Sequence, residues 1–136
     1  MISLISIVDD EQSIREATTS LLKSNGFRAE VFSSAEEFLE SPNLLETKCL
    51  ILDIQMPKMN GLELQRRLTA ENRRIPIIFI TAHEDQKIRN EAMRAGAVDF
   101  LTKPFSADAL LHSIRSALQP ANPEDDETGQ TAPAAS

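Results

Sequence analysis

Short apolar runs alternate along this chain with stretches of helical periodicity. Five runs are rich in β-branched or bulky apolar residues, and they cover residues 4–8, 28–32, 49–52, 75–80 and 98–101. The first, third and fourth are almost continuously apolar, which is typical of parallel strands covered on both faces. The pattern therefore predicts five strands, several of them fully buried.

Between these runs, apolar residues recur at the spacing of one helix face. The sets are Ile14, Ala17, Leu21 and Leu22, then Leu64 and Leu68, then Ile88, Ala92 and Met93, and finally Leu110, Leu111, Ile114 and Leu118. Five strand–helix repeats predict an α/β fold with three layers, right-handed crossovers and helices on both faces of a parallel sheet. A helical bundle with misassigned strands is the alternative.

Helix-end signals agree with this interpretation. Ser34 stands three residues before Glu37, which fits a capping box, and Ser106 is placed to cap the last helix. Gly26 and Gly96 stand where helices are expected to end in a left-handed residue.

The length of 136 residues favours one domain, which we assign to residues 1–119. Residues 120–136 hold three prolines, four acidic residues, no basic residue and no large apolar side chain. Such a segment buries too little apolar surface to offset the entropy of ordering, so we expect an acidic, Pro-rich, disordered tail.

Net charge and cysteine content narrow the class of protein. The net charge of −7 argues against direct nucleic-acid binding and against an anionic membrane surface. No stretch approaches the roughly 18 apolar residues of a membrane span. The single cysteine, Cys49, lies in an apolar run, so we expect a buried, reduced thiol and a cytoplasmic protein.

Chemically active side chains follow the predicted strands. Asp9 and Asp10 follow the first strand, Asp53 the third and Thr81 the fourth, while the fifth leads to Lys103. Ligands of open parallel sheets bind at the carboxyl ends of the strands, so these side chains are expected to meet at one edge. Taken one at a time, the acidic residues are equally typical of helix caps. A single threonine or lysine at these positions is equally typical of an ordinary loop.

Three neighbouring carboxylates resist joint ionisation, and a hard divalent cation removes that conflict. Carboxylate, carbonyl and water ligands suit Mg²⁺ or Mn²⁺, and no Cys/His cluster suggests zinc. Lys103 and Thr81 add a cation and a hydroxyl for phosphoryl oxygens, which indicates a phosphoryl-transfer site. Flavin or nucleotide binding is disfavoured, because the acidic run Asp9–Glu11 repels phosphate and no Gly-rich loop is present.

These residues stand in recognisable motifs. The chain contains Ile-Val-Asp-Asp-Glu at 7–11, Leu-Asp-Ile-Gln-Met-Pro at 52–57 followed by Gly61, Ile-Thr-Ala at 80–82 and Phe-Leu-Thr-Lys-Pro-Phe at 100–105. Over residues 3–119 it resembles the receiver domain of two-component response regulators, and in details the FixJ-type branch. The resemblance implies a flavodoxin-like, doubly wound sheet of strand order 2-1-3-4-5 with five helices.

The resemblance also implies site roles. Asp53 would accept a phosphoryl group. Mg²⁺, with Mn²⁺ as an alternative, would be held by Asp10, Asp53 and the backbone carbonyl of Gln55, with Asp9 acting mainly through water. Lys103 would pair with the phosphoryl group, and the Lys103–Pro104 peptide is expected to be cis.

A switch follows from the same resemblance. Thr81 and Phe100 would form the switch pair, with the hydroxyl moving to the phosphoryl group and the ring turning inward. The surface that changes would span residues 84–118. Gln55 and His83 stand where the family tunes dephosphorylation, although an isolated His83 is equally typical of an exposed loop.

The expected donor is a phosphohistidine on a sensor histidine kinase or phosphotransfer protein, or a small phosphodonor. The output would be a downstream protein partner, with a phosphorylation-dependent homodimer as one form. Such a domain is no enzyme beyond its own phosphorylation and dephosphorylation. One alternative is the receiver portion of a FixJ-type DNA-binding regulator. Another is a Mg²⁺-dependent phosphatase of the haloacid-dehalogenase type, which would need an acidic residue where Gln55 stands.

Overall fold

The computed structural model describes residues 2–119, so the predicted tail at residues 120–136 lies outside the described part of the chain. Strands and helices alternate in the order β1 (Leu4–Val8), α1 (Gln12–Ser24), β2 (Arg28–Phe32), α2 (Ala35–Leu39), β3 (Thr47–Asp53), α3 (Gly61–Ala70), β4 (Ile77–Thr81), α4 (Gln86–Arg94), β5 (Asp99–Thr102) and α5 (Ala107–Leu118). A 3₁₀ turn, Leu44–Glu46, precedes β3.

The five strands form one parallel sheet of order β2-β1-β3-β4-β5, which confirms the predicted α/β, flavodoxin-like topology. In its register Val8 lies opposite Leu52, and Asp53 lies opposite Ile80. The carboxyl ends of β1, β3 and β4 are therefore level, and the loops that follow them share one edge of the sheet.

Each face of the sheet carries its own apolar core, which confirms the three layers. Side chains alternate between the faces along each strand. On one face, strand residues such as Ile7 and Ile51 pack with Leu22 of α1 and Ile114 of α5. The opposite core contains Val8, Leu50, Leu52 and Phe79 of the strands, Phe38 of α2, Leu64 and Leu68 of α3 and Ala92 of α4.

Most predicted helix ends are present. The Ser106 hydroxyl accepts a hydrogen bond from the backbone N–H of Ala109 at 3.0 Å and caps α5. Gly26 and Gly96 have φ angles of 85° and 102°, in the left-handed region that glycine adopts without strain.

The predicted capping box at α2 is only half formed. The Ser34 hydroxyl accepts from the N–H of Glu37 at 3.1 Å, but the Glu37 carboxylate accepts from the N–H of Ser33 instead of Ser34. A complete capping box, which we did not predict, joins Asn60 and Glu63 at the start of α3. The helix that follows β3 is thus the more firmly capped of the two.

Strand boundaries differ from the predicted apolar runs. Strand β3 begins at Thr47 and ends at Asp53, β4 ends at Thr81 and β5 covers Asp99–Thr102, because polar residues also extend the ladder. The predicted start of β4 at residue 75 is wrong: the strand begins at Ile77, after Pro76, which has no N–H to donate.

Ala17 and Met93 were expected on the buried faces of α1 and α4, but both are exposed, whereas Thr18 and Ala92 are buried in those helices. None of the helices formed by residues 2–119 has the length and apolar character needed to cross a membrane.

Candidate functional site

Three aspartates meet at the carboxyl edge of the sheet, as the strand-end argument predicts. Asp9 and Asp10 follow β1, and Asp53 is the last residue of the adjacent strand β3. One carboxylate oxygen from each lies within 4.8 Å of the others. Asp9 and Asp53 are buried, with 0% and 3% of their surface exposed, whereas Asp10 is exposed. The cluster is thus open to solvent on the Asp10 side.

Hydrogen bonds fix the Asp9 backbone and one of its carboxylate oxygens. The Asp9 N–H donates to the carbonyl of Phe32 at 3.1 Å, and the guanidinium of Arg15 donates to the Asp9 carbonyl at 2.7 Å. Oδ1 of Asp9 accepts from the N–H of Glu11 at 2.8 Å. Oδ2 is buried and has no hydrogen-bond partner, although an ammonium lies close to it.

That ammonium belongs to Lys103, which lies in the loop after β5. Its Nζ is 2.7 Å from Glu11 Oε1, 3.0 Å from Asp9 Oδ2 and 3.7 Å from Asp53 Oδ2. The Lys103 N–H donates to the carbonyl of Thr81 at 2.7 Å, and the Lys103–Pro104 peptide bond is cis. Lys103 therefore stands beside Asp53, held through both its backbone and its side chain.

Electrostatics strain the ionised form of Asp53. Burial, followed by the negative charge of Asp9, raises the pKa of Asp53 to about 7, although Lys103 and the N–H of Gln55 act in the opposite direction. For Lys103, burial lowers the pKa, but its contacts with Glu11 and Asp9 outweigh that effect and leave the pKa above its ordinary value. The site holds more negative charge than one lysine neutralises.

This donor set fits a hard divalent cation. Three carboxylate oxygens converge, the buried Oδ2 of Asp9 has only the Lys103 ammonium beside it, and burial together with the charge of Asp9 raises the pKa of Asp53. Mg²⁺ binds through one or two carboxylates, retains water and leaves positions for phosphate oxygens. The residues present suit Mg²⁺ or Mn²⁺ in that role.

Thr81, the last residue of β4, is buried beside this edge. Its hydroxyl donates to the carbonyl of His83 at 3.1 Å and contacts Oε1 of Gln55 at 3.4 Å, while it accepts from the N–H of His83 at 3.2 Å. The side chains of Gln55 and His83 are exposed. Thr81 therefore contacts both Gln55 and His83, the two residues expected to tune dephosphorylation.

Phe100 on β5 is turned inward in this structure, with 3% of its surface exposed. Its ring centroid lies 6.3 Å from that of Phe79 on β4. The guanidinium carbon of Arg89 on α4 lies 5.8 Å from the Phe100 centroid, and Nη1 of Arg89 donates to the Phe100 carbonyl at 3.4 Å. The ring thus occupies the position that the resemblance associates with phosphorylation, and α4 contacts it directly.

Two side chains of the site were missed by the strand-end argument. In the sequence Glu11 stands out only as part of an acidic run, although its carboxylate contacts Lys103, 92 residues away. Arg15 was not singled out, although it donates to the backbone of Asp9. The only available signal was their position directly after the first acidic pair, which does not specify the partner of a long side chain.

The parallel sheet with helices on both faces, and the three aspartates at the carboxyl ends of its strands, define the chain as a doubly wound domain with a carboxylate site. A family model described as the response regulator receiver domain matches residues 5–115. The chain therefore belongs to the response regulator receiver domain family of two-component systems.

Relatives agree with this assignment. The chain is 49% identical over 117 residues to the response regulator protein TmoT of Ectopseudomonas mendocina, covering 86% of this chain and 53% of that protein. It is 40% identical over 119 residues to the transcriptional regulatory protein FixJ of Bradyrhizobium diazoefficiens, covering 88% and 58%. The chain thus spans about half the length of these relatives.

A crystal structure of FixJ-N superposes with a TM-score of 0.78 at 38% identity, covering 87% of this chain and 94% of that one. The similarity to FixJ in both sequence and structure confirms the predicted FixJ-like branch.

Proposed function

We propose that Asp53 accepts a phosphoryl group, in the presence of Mg²⁺, from a sensor histidine kinase, a phosphotransfer protein or a small phosphodonor. The observation that carries this proposal is the gathering of Asp9, Asp10 and Asp53 within 4.8 Å, with Lys103 Nζ 3.7 Å from Asp53. Family membership supports the same role, because a receiver domain is matched over residues 5–115.

In this proposal Asp10, Asp53 and the Gln55 carbonyl would hold Mg²⁺, with Asp9 acting mainly through water. The ion would supply positive charge that offsets the carboxylates and the phosphoryl oxygens. A carboxylate oxygen of Asp53 forms a bond to phosphorus while the bond from phosphorus to the donor atom breaks. The donor leaves with that electron pair, and Asp53 becomes an acyl phosphate.

The remaining residues act on the phosphoryl oxygens. Lys103 leaves its resting contact with Glu11 and pairs with one phosphoryl oxygen. Thr81 exchanges its hydrogen bond to the His83 carbonyl for one to another phosphoryl oxygen. Both exchanges are favourable only when the phosphoryl group is present. Phosphorylation therefore shifts the equilibrium between the resting and the exchanged positions of Lys103 and Thr81.

The surface that reports this change spans residues 84–118. Its link to the site is the pair Thr81 and Phe100, and Arg89 of α4 contacts Phe100 through both its ring and its carbonyl. We infer that the partner that binds this surface is a downstream protein in the cytoplasm or a second copy of the chain. Gln55 and His83, both exposed beside Thr81, tune the access of water during dephosphorylation.

Several relatives, FixJ among them, carry the name transcriptional regulatory protein, and the chain spans only about half of their length. The second candidate is therefore the receiver portion of a FixJ-type DNA-binding regulator, in which this domain performs the same chemistry. A phosphatase of external esters is not favoured, because Gln55 stands where a second carboxylate would serve as acid and base.

The test is Mg²⁺-dependent labelling with acetyl phosphate, followed by intact mass. Wild type is expected to gain one phosphoryl group that hydroxylamine removes, and Asp53→Asn is expected to gain none. Asp108→Asn, at an exposed carboxylate in the first turn of α5, is the matched control and should be labelled like wild type. A hydroxylamine-resistant label on wild type, or a hydroxylamine-labile label on Asp53→Asn equal to that of wild type, would overturn the assignment.

A further inference from the structure

Glu11 makes the shortest side-chain contact of Lys103. Its Oε1 lies 2.7 Å from Nζ, closer than Asp9 Oδ2 at 3.0 Å or Asp53 Oδ2 at 3.7 Å. Glu11 is the residue before α1, yet its side chain makes no capping hydrogen bond to that helix. Its carboxylate is therefore directed to Lys103 rather than to the helix end.

The position of Glu11 differs from that of the aspartates. Its side chain is 55% exposed, whereas the side chain of Lys103 is 11% exposed, so Glu11 lies at the solvent side of the ammonium. Glu11 is also absent from the group of carboxylates whose oxygens converge within 4.8 Å. Its charge thus contacts the lysine without joining the candidate metal ligands.

We propose that Glu11 is a positioning residue that restrains phosphorylation by holding Lys103 in the resting site. This inference rests on the proposed phosphorylation of Asp53. An incoming phosphoryl oxygen has to replace the Glu11 carboxylate as the partner of Lys103, and the Glu11 charge repels an anionic donor as it enters.

The size of the effect follows from the exposure of Glu11. Removing one charge several ångströms from the reacting phosphoryl group, near the protein surface, corresponds to about a three- to tenfold change in rate. Because the carboxylate is solvent-exposed, dissolved ions screen its charge, so the effect shrinks as ionic strength rises.

The experiment compares the wild-type chain with Glu11→Gln in Mg²⁺ and acetyl phosphate, an anionic donor, at low and high salt. Glu11→Gln is expected to be phosphorylated about three- to tenfold faster at low salt, with a smaller advantage at about 1 M salt. A misfolded variant would lose rate, so a gain cannot come from structural damage.

Glu16→Gln is the matched control. Glu16 is an exposed carboxylate of α1, and its substitution by glutamine removes the same negative charge. Its side chain contacts Gln12 and not Lys103. Its substitution is expected to leave the rate near that of wild type. Equal rates for wild type and Glu11→Gln, or an equal gain in Glu16→Gln, would overturn the role of Glu11. If wild type itself is not labelled, the proposed function fails, and this inference fails with it.

Discussion

Gly61 lies directly against the backbone of Asp53. A Cβ atom at Gly61 would come 2.5 Å from the Asp53 carbonyl oxygen and 3.1 Å from Cα of Ile54. The Gly61 N–H donates to the carbonyl of Ile54 at 2.9 Å, so α3 begins against the end of β3. The absence of a side chain at Gly61 therefore allows the loop after Asp53 to close.

Gly61→Ala is expected to push the Asp53 backbone away from α3. The added methyl group should cost about 1–3 kcal/mol of unfolding free energy in urea titration, as overpacking of a close contact does. It should also slow phosphorylation of Asp53. Gly96→Ala is the control, because a Cβ there meets no atom within 4 Å and Gly96 precedes β5, at the opposite edge of the sheet from Asp53. Its φ of 102° should cost some stability, but labelling of Asp53 should stay normal. Normal stability and normal labelling of Gly61→Ala would contradict the close contact.

Asp53 gives the metal-free protein a specific pH dependence of stability. Its pKa is raised from 3.8 to about 7, so the folded state keeps this proton longer than the unfolded state does. The stability that this carboxyl contributes is present below about pH 4 and is lost as pH rises through 7. Relative to Asp53→Asn, wild type in chelator should lose about 1–4 kcal/mol of unfolding free energy over that range.

Urea titrations at several pH values in chelator provide this measurement. Asp10→Asn serves as the control, because Asp10 is exposed and contributes the smallest of the charge effects on Asp53. Most of the pH dependence should remain in Asp10→Asn. Parallel stability profiles for wild type and Asp53→Asn would show that the Asp53 carboxyl is not strained.

Cys49, the single cysteine of the chain, lies buried in β3. Burial raises the pKa of its thiol from 9.0 to about 12. The thiolate fraction near pH 8 is then roughly a thousandfold lower than for an ordinary cysteine, so a thiol reagent should react only after unfolding. Labelling in native buffer and in urea, followed by mass, measures this. Rapid labelling of the native protein would contradict the burial of β3.

The sequence was sufficient to predict the fold and the proximity of the three aspartates. Continuous apolar runs identify buried parallel strands, and the rule that strand ends share an edge brought Asp9 to Asp53 across more than forty residues of chain. The predicted strand boundaries were less accurate, because Thr47 and Thr81 belong to strands β3 and β4 without being apolar.

Side-chain conformation was beyond sequence reasoning. The contact of Glu11 with Lys103 depends on how two long, flexible side chains are arranged, and the inward ring of Phe100 depends on packing against Phe79 and Arg89. Neither arrangement follows from spacing along the chain. Local hydrogen bonding also determines whether the Glu37 carboxylate accepts from the N–H of Ser33 or of Ser34. The pattern of apolar residues contains no information on that choice.

The central claim is that the carboxylate of Asp53 becomes an acyl phosphate. Borohydride reduces an aspartyl phosphate to homoserine, so treatment after phosphorylation marks the modified residue permanently. Peptide mass spectrometry should find homoserine at position 53 only when Mg²⁺ and phosphodonor are both supplied. Homoserine at position 9 or 10, or an unmodified position 53 in a protein that has gained a phosphoryl group, would contradict the account.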